Sequence, residues 1–119
     1  MAKAPPPLRG EIWTVHFDPS VGAEIRKVRP AVVVSLNTIG RLPLRIVVPL
    51  TDWQDPFALL PWFVHVPVSP TNGLTKDSGA DAFQVKSVSE SRFIRCVGLV
   101  TKAQLDDIAS AVAMCVGAP

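Results

Sequence analysis

Two runs dominated by aliphatic and β-branched residues, Ala31–Leu36 and Leu44–Leu50, flank the turn-forming stretch Asn37-Thr38-Ile39-Gly40. Branched side chains fit a pleated, half-buried surface, so these runs predict two antiparallel core strands joined by a short connection. Further strands are expected around that pair. Glu11–Phe17 carries Ile12, Trp13, Val15 and Phe17 and suits a first strand covered on both faces. Trp62–Val68 leads into a turn at Ser69-Pro70-Thr71-Asn72-Gly73, and Ala82–Val88 and Phe93–Leu99 fit two more strands. Pro49 has no N–H to give to a ladder, which places it where a strand runs out or its donor side is unpaired. The last segment changes period: Thr101 and Gln104 form a capping box, Leu105, Ile108, Val112 and Cys115 recur at helical spacing, and Gly117 stops the run. The expected class is α+β, mainly β, an antiparallel barrel of about six strands with one C-terminal helix.

With 119 residues the chain suits one domain, expected at 9–119, after a flexible arm at 1–8 that contains Pro5, Pro6 and Pro7. At 48% hydrophobic and 18% charged residues it is expected to be globular and not disordered. A formal charge of +2 permits contact with phosphates but lacks the polybasic signature of a non-specific nucleic-acid binder. Cys96, Cys115, His16 and His65 show no metal-ligand spacing, so neither a metal nor a cofactor is expected, and both cysteines read as reduced, buried thiols. No signal-peptide pattern and no apolar run of membrane-spanning length occurs, which points to a soluble cytoplasmic protein without a membrane partner.

Between the first two strands, Asp18–Val28 opens with turn formers and keeps no period, so it is expected as a loop long enough to suggest a functional role. Arg9-Gly10-Glu11-Ile12-Trp13, then Phe17-Asp18-Pro19-Ser20, Gly22-Ala23-Glu24 and Val28-Arg29-Pro30-Ala31-Val32-Val33-Val34-Ser35 together resemble the N-terminal half of the MazF/PemK toxins. The likeness continues through Val48-Pro49-Leu50-Thr51 and Gln84-Val85-Lys86-Ser87. It implies an SH3-like barrel that forms a homodimer, binds single-stranded RNA and cuts it without metal or ribosome at a short recognition sequence. The implied products are a 2′,3′-cyclic phosphate and a 5′-hydroxyl. A cognate antitoxin with an acidic, flexible C-terminal segment is the other implied partner.

Cleavage of this type needs in-line attack by the 2′-hydroxyl, stabilisation of phosphoryl charge and proton transfer to the leaving oxygen. Arg29 is the catalytic candidate by family position, because a guanidinium stays charged and its fork matches phosphate oxygens. Pro30 restricts Arg29 to extended geometry. Thr51, ending a core strand, offers a hydroxyl to the same phosphate, although a strand-terminal threonine can also be merely a good β-former. Glu24 either accepts the 2′-hydroxyl proton, pairs with Arg29 or is a solvated loop charge, and the identity of the base stays open.

For RNA binding, the candidates are Phe17, Ser20, Trp53, Gln84 and Lys86. Gln84 and Lys86, two apart on an expected strand, would share one face as base reader and phosphate contact. Trp53 and Phe17 are stacking candidates, with core burial as the alternative for both. Phe83 stands where the family often has an acidic residue, which suggests an altered sequence preference. Two rival readings remain: a CcdB-like gyrase poison, whose Trp-containing C-terminus is missing from Cys115-Val116-Gly117-Ala118-Pro119, and a catalytically inactive SH3-like RNA-binding module.

Overall fold

The computed structural model describes residues 5–39 and 42–119. Its seven strands are β1 (Glu11–His16), β2 (Val28–Val33), β3 (Leu44–Asp52), β4 (Phe63–Val66), β5 (Ser78–Asp81), β6 (Lys86–Ser89) and β7 (Phe93–Leu99), followed by helix α1 (Lys102–Cys115). All pairings are antiparallel, in the order β4-β5-β3-β2-β1-β7, with β6 also on β3. The sheet is barrel-like but open between β4 and β7. Met1–Ala4, half of the expected arm, lie outside the described residues, as do Gly40 and Arg41 in the β2–β3 connection. Pro7 is buried, and its carbonyl accepts a hydrogen bond from Arg45 Nε at 2.9 Å.

β3 is the hub of the sheet. Its first half pairs with β6 as far as Val47–Lys86, and its second half pairs with β5 from Leu50–Ala80. Across that interval β3 advances three residues while the other side advances six, so the extra chain leaves the ladder as a 3-10 turn at Ala82–Gln84. The turn is capped by Asp81, whose carboxylate accepts the Phe83 N–H at 3.2 Å. The expected continuous strand Ala82–Val88 is therefore corrected: its first three residues form the 3-10 turn and only Lys86 onward is strand, with β5 lying before Ala82, and the count rises from about six to seven. Pro49, fully buried, falls in the interval between the β5 and β6 ladders, where a missing donor breaks no bond to either.

Alternation along the strands builds two cores. One face carries Ile12, Val32, Val48, Leu50, Val66 and Ala80, and is covered by Ile108 of α1 with Leu105 and Val112. The other carries Val15, Ala31, Val33, Val47 and Val88, closed by Phe17, Ile25, Trp13 and Phe93. Burying each large aliphatic or Phe side chain contributes about 1.5–3 kcal/mol before conformational entropy is charged against it. The helix starts as its capping box requires: Thr101 Oγ1 accepts the Gln104 N–H at 3.1 Å and Gln104 Oε1 accepts the Thr101 N–H at 3.0 Å. It ends before Gly117, which takes a left-handed φ of 71°.

Asn72-Gly73 covers the outer edge of β7. Asn72 is 1% exposed and hydrogen-bonded at both ends of its amide, accepting from Ser69 N–H and Leu74 N–H and donating to the Pro67 carbonyl. Gly73 adopts a φ of 67°, and a Cβ there would lie 1.9 Å from the Val97 carbonyl oxygen. Cys96 is exposed on β7 and not buried as expected; Cys115 is half-buried, and both are free thiols. No helix among the described residues is long and apolar enough to cross a membrane.

Candidate active site

Arg29 is the second residue of β2 and stands opposite Val15 of β1. Alternation puts it on the same face as Ala31 and Val33, at the rim of the second core. The β2–β3 ladder is recorded as far as Ala31–Pro49; two residues further along each strand come Arg29 and Thr51. Side chains at opposite positions of antiparallel strands share a face, so the guanidinium and the hydroxyl emerge on one side of the sheet. Lys86 joins them there, opposite Val47 on the far side of β3 and four residues, or about 13 Å, along that strand from Thr51. Among the described residues, neither Arg29 nor Lys86 has a salt-bridge or side-chain hydrogen-bond partner.

Next to Thr51 in the same row come Gly79 of β5 and His65 of β4. Gly79 has to be small: a Cβ there would lie 3.0 Å from Phe63, 3.1 Å from Trp53 and 3.3 Å from Phe57. Trp53 is half-buried in this cluster, stacked on His65 with ring centroids 4.2 Å apart and edge-on to Phe57 at 5.7 Å. One indole face is thus already occupied by a neighbour. His65 is an exposed strand residue packed on an indole.

Several expected contact residues are used elsewhere. Phe17 is 0% exposed in the second core and offers no face to a base, which corrects its assignment as a stacking residue. The Ser20 hydroxyl lies within hydrogen-bond distance of the Phe17 carbonyl at 3.0 Å and the Ile25 carbonyl at 2.7 Å, so its single proton is donated inside the loop. Gln84 lies in the 3-10 turn and not on a strand face shared with Lys86; its Oε1 accepts the Ile25 N–H at 2.5 Å. Glu24 forms no salt bridge with Arg29; its Oε1 accepts the Val21 N–H at 2.7 Å and closes a turn of the loop.

The exposure of Phe83 and the contacts of Arg92 escaped the sequence. Phe83 is 71% exposed and tilted against Trp62 at 6.1 Å, at the edge of a shallow groove of about 300 Å³ shared with Ala23, Glu24 and Gln84. Arg92 donates through Nη1 to the carbonyls of His16 at 3.0 Å and Asp18 at 2.7 Å, at the start of the loop. An arginine contact to a carbonyl more than 70 residues away leaves no local pattern to read. Asp81 under the 3-10 turn has its carboxyl held above the usual range, chiefly by burial, against hydrogen bonds from the Phe83 and Gln84 segment. Among the described residues no three His, Cys, Asp or Glu side chains cluster as metal ligands.

An open antiparallel sheet with a C-terminal helix thus carries Arg29 and Thr51 at the ends of neighbouring strands. The family described as PemK-like, MazF-like toxins of type II toxin–antitoxin systems matches residues 8–116, and the chain belongs to it. Endoribonuclease MazF9 of Mycobacterium tuberculosis is 36% identical over 110 residues, spanning 87% of this chain and 91% of that protein. Endoribonuclease PemK of Escherichia coli is 46% identical over 47 residues, covering 37% of this chain and 34% of PemK. In structure, MazF from Deinococcus radiodurans superposes with a TM-score of 0.81 at 22% identity, covering 96% of this chain and 99% of that one. A mycobacterial endoribonuclease solved in complex with its cognate antitoxin gives a TM-score of 0.74 at 22% identity, covering 95% and 97%. These last two likenesses concern the fold.

Proposed function

We propose that this toxin is an endoribonuclease that cuts single-stranded RNA at a short sequence by attack of a 2′-hydroxyl on the adjacent phosphorus. The observation that carries the reading is the unpartnered Arg29 guanidinium at the same level as Thr51, on the rim of one face, in a chain of this family. In the step itself, the 2′-oxygen bonds to phosphorus and the bond from phosphorus to the 5′-oxygen breaks. The 2′-hydroxyl proton passes to a base, and the 5′-oxygen takes up a proton as it leaves. Arg29 stabilises charge on the phosphoryl oxygens, which is the largest contribution a fixed cation makes in such a site. Thr51 donates a hydrogen bond to the same group, and Glu24, with one carboxylate oxygen on Val21 N–H, receives the 2′-hydroxyl proton.

Lys86 contacts a phosphate of a neighbouring nucleotide, and Trp53 contributes its exposed portion to a base. This mechanism calls for no metal. The protein acts in the cytoplasm as a homodimer and is neutralised by an antitoxin with an acidic segment. Relatives named as endoribonucleases favour RNA cutting over gyrase binding. The test is incubation of purified protein with a long single-stranded RNA in excess chelator, followed by end mapping. Discrete cuts bearing 2′,3′-cyclic phosphate and 5′-hydroxyl ends are expected; activity that appears only with added divalent metal, or no cleavage of any RNA, would overturn the reading.

A further inference from the structure

Strand β6 is bracketed by two short 3-10 turns, Ala82–Gln84 before it and Glu90–Arg92 after it, and the last residue of each turn reaches the same loop. Gln84 holds the loop's exit, accepting from Ile25 N–H at 2.5 Å and donating to the Ala23 carbonyl at 3.4 Å across 59 and 61 residues of chain. Arg92 holds the entrance through the His16 and Asp18 carbonyls. Both turns are themselves fixed by side-chain caps, Asp81 on Phe83 N–H and Ser89 on Ser91 N–H. Inside the loop, Phe17 N–H donates to the Lys27 carbonyl at 2.8 Å, and Ile25 packs into the second core. The chain then enters β2 one residue before Arg29.

We propose that Gln84 and Arg92 are positioning residues that hold the Asp18–Lys27 loop closed beside Arg29 before RNA arrives. This rests on the RNA-cutting reading above. A loop of this length that had to order on binding would reduce apparent affinity by the fraction of time it spends in the competent form. Two clamps in the turns at either end of β6 remove that loss without touching RNA. Arg92 uses a charged donor on two carbonyls, the stronger kind of hydrogen bond, and Gln84 uses both ends of its amide.

The loop contains Arg26 and Lys27, so trypsin reports its opening directly, independent of any activity. In the RNA-free protein, Gln84→Ala and Arg92→Ala are expected to release new N-termini at Lys27 or Val28 about ten times faster than wild type, as cleavage tracks the open population. Arg92→Lys and Gln84→Glu keep a donor and an acceptor, respectively, and are expected to restore most of the protection. With RNA, KM is expected to rise about tenfold in the alanine variants while kcat falls less than threefold. Circular dichroism melts identify any variant that fails to fold, in which case the conservative pair carries the comparison. Unchanged tryptic release, or a loss confined to kcat, would overturn the proposal. Loop protection that depends on the clamps in a protein that cuts no RNA would uphold the clamp and sink the functional reading instead.

Discussion

Arg29 and Thr51 stand two residues beyond the last recorded pair of the β2–β3 ladder, Ala31 with Pro49, and on the same face of the sheet as that pair. Their backbones are set by buried neighbours, Ala31 and Val33 on one strand and Val47, Pro49 and Leu50 on the other. The side chains sit at the rim. Substitution of either side chain is therefore expected to spare the fold.

Removing Arg29 should abolish transition-state stabilisation and little else. Arg29→Ala is expected to lower the cleavage rate by about 100- to 1,000-fold, with thermal stability within about 0.5 kcal/mol of wild type because the group is half-exposed and has no partner among the described residues. Thr51→Ala removes one donor and should cost about 10- to 100-fold. Single-turnover cleavage of a defined RNA, with melts of each variant, checks both. Full activity in Arg29→Ala would remove it from the site.

The Asn72-Gly73 turn supplies the opposite case, a position with large structural and no catalytic weight. Gly73→Ala places a methyl group against the Val97 carbonyl in a left-handed backbone conformation. It is expected to destabilise the fold by about 2–3 kcal/mol, measured by urea denaturation, with kcat unchanged wherever the variant stays folded. A stability within error of wild type would mean that the turn does not pack on β7 in solution.

Asp81 gives a pH signature. Burial raises its carboxyl above the ordinary 3.8, so the folded state binds its proton more tightly than the unfolded state does. The corresponding stability is present below 3.8 and is lost as pH rises through the raised folded value. Asp81→Asn keeps a cap on Phe83 N–H and carries no charge. The variant should match wild type near pH 3 and be more stable at pH 7, in melts compared at both values. A difference that grows towards acid would reverse the assignment.

The strands, the capped helix and the family were legible because each depends on local pattern: the branched runs, Thr101 with Gln104, and the motif around Arg29-Pro30. Phe17, Ser20 and Gln84 were less legible for a physical reason. Each is polar or aromatic and lies in or near the loop, which suits an RNA contact equally well. What decides is a partner far away in sequence, such as Ile25 N–H for Gln84, or a core that closes over Phe17. The broken strand at Ala82–Gln84 was hidden for the same reason, since a three-residue surplus shows only against the partner strand.

Exposed apolar side chains bear on the proposed dimer. Leu36, Ile39, Leu42, Leu44 and Ile46 lie exposed in and after the β2–β3 connection, and the last four line an apolar pocket of about 180 Å³. Such a concentration on a small domain is the kind of surface that a second copy covers. Light scattering at micromolar protein should give twice the chain mass, and a Leu42→Asp, Leu44→Asp double variant should shift it towards the monomer. A wild-type monomer that retains full activity would contradict the dimer.

Neutralisation should act on the same face that binds RNA. Arg29 and Lys86 are cations without partners among the described residues, on opposite sides of β3, so an acidic extended segment can span both. Such a segment is disordered alone and folds on binding, giving an affinity that falls steeply with salt. The clamped loop adds a constraint, because the segment must either lie along its outer side or pull Ala23 and Ile25 from Gln84. Titration of the antitoxin peptide against a labelled, uncleavable RNA should show mutual exclusion on the toxin, with the peptide's affinity reduced in Arg29→Ala and Lys86→Ala. Tryptic release at Lys27 or Val28 in the complex separates the two modes, since a displaced loop is cut faster and a covered one more slowly. Simultaneous, independent binding of peptide and RNA would place neutralisation away from this face.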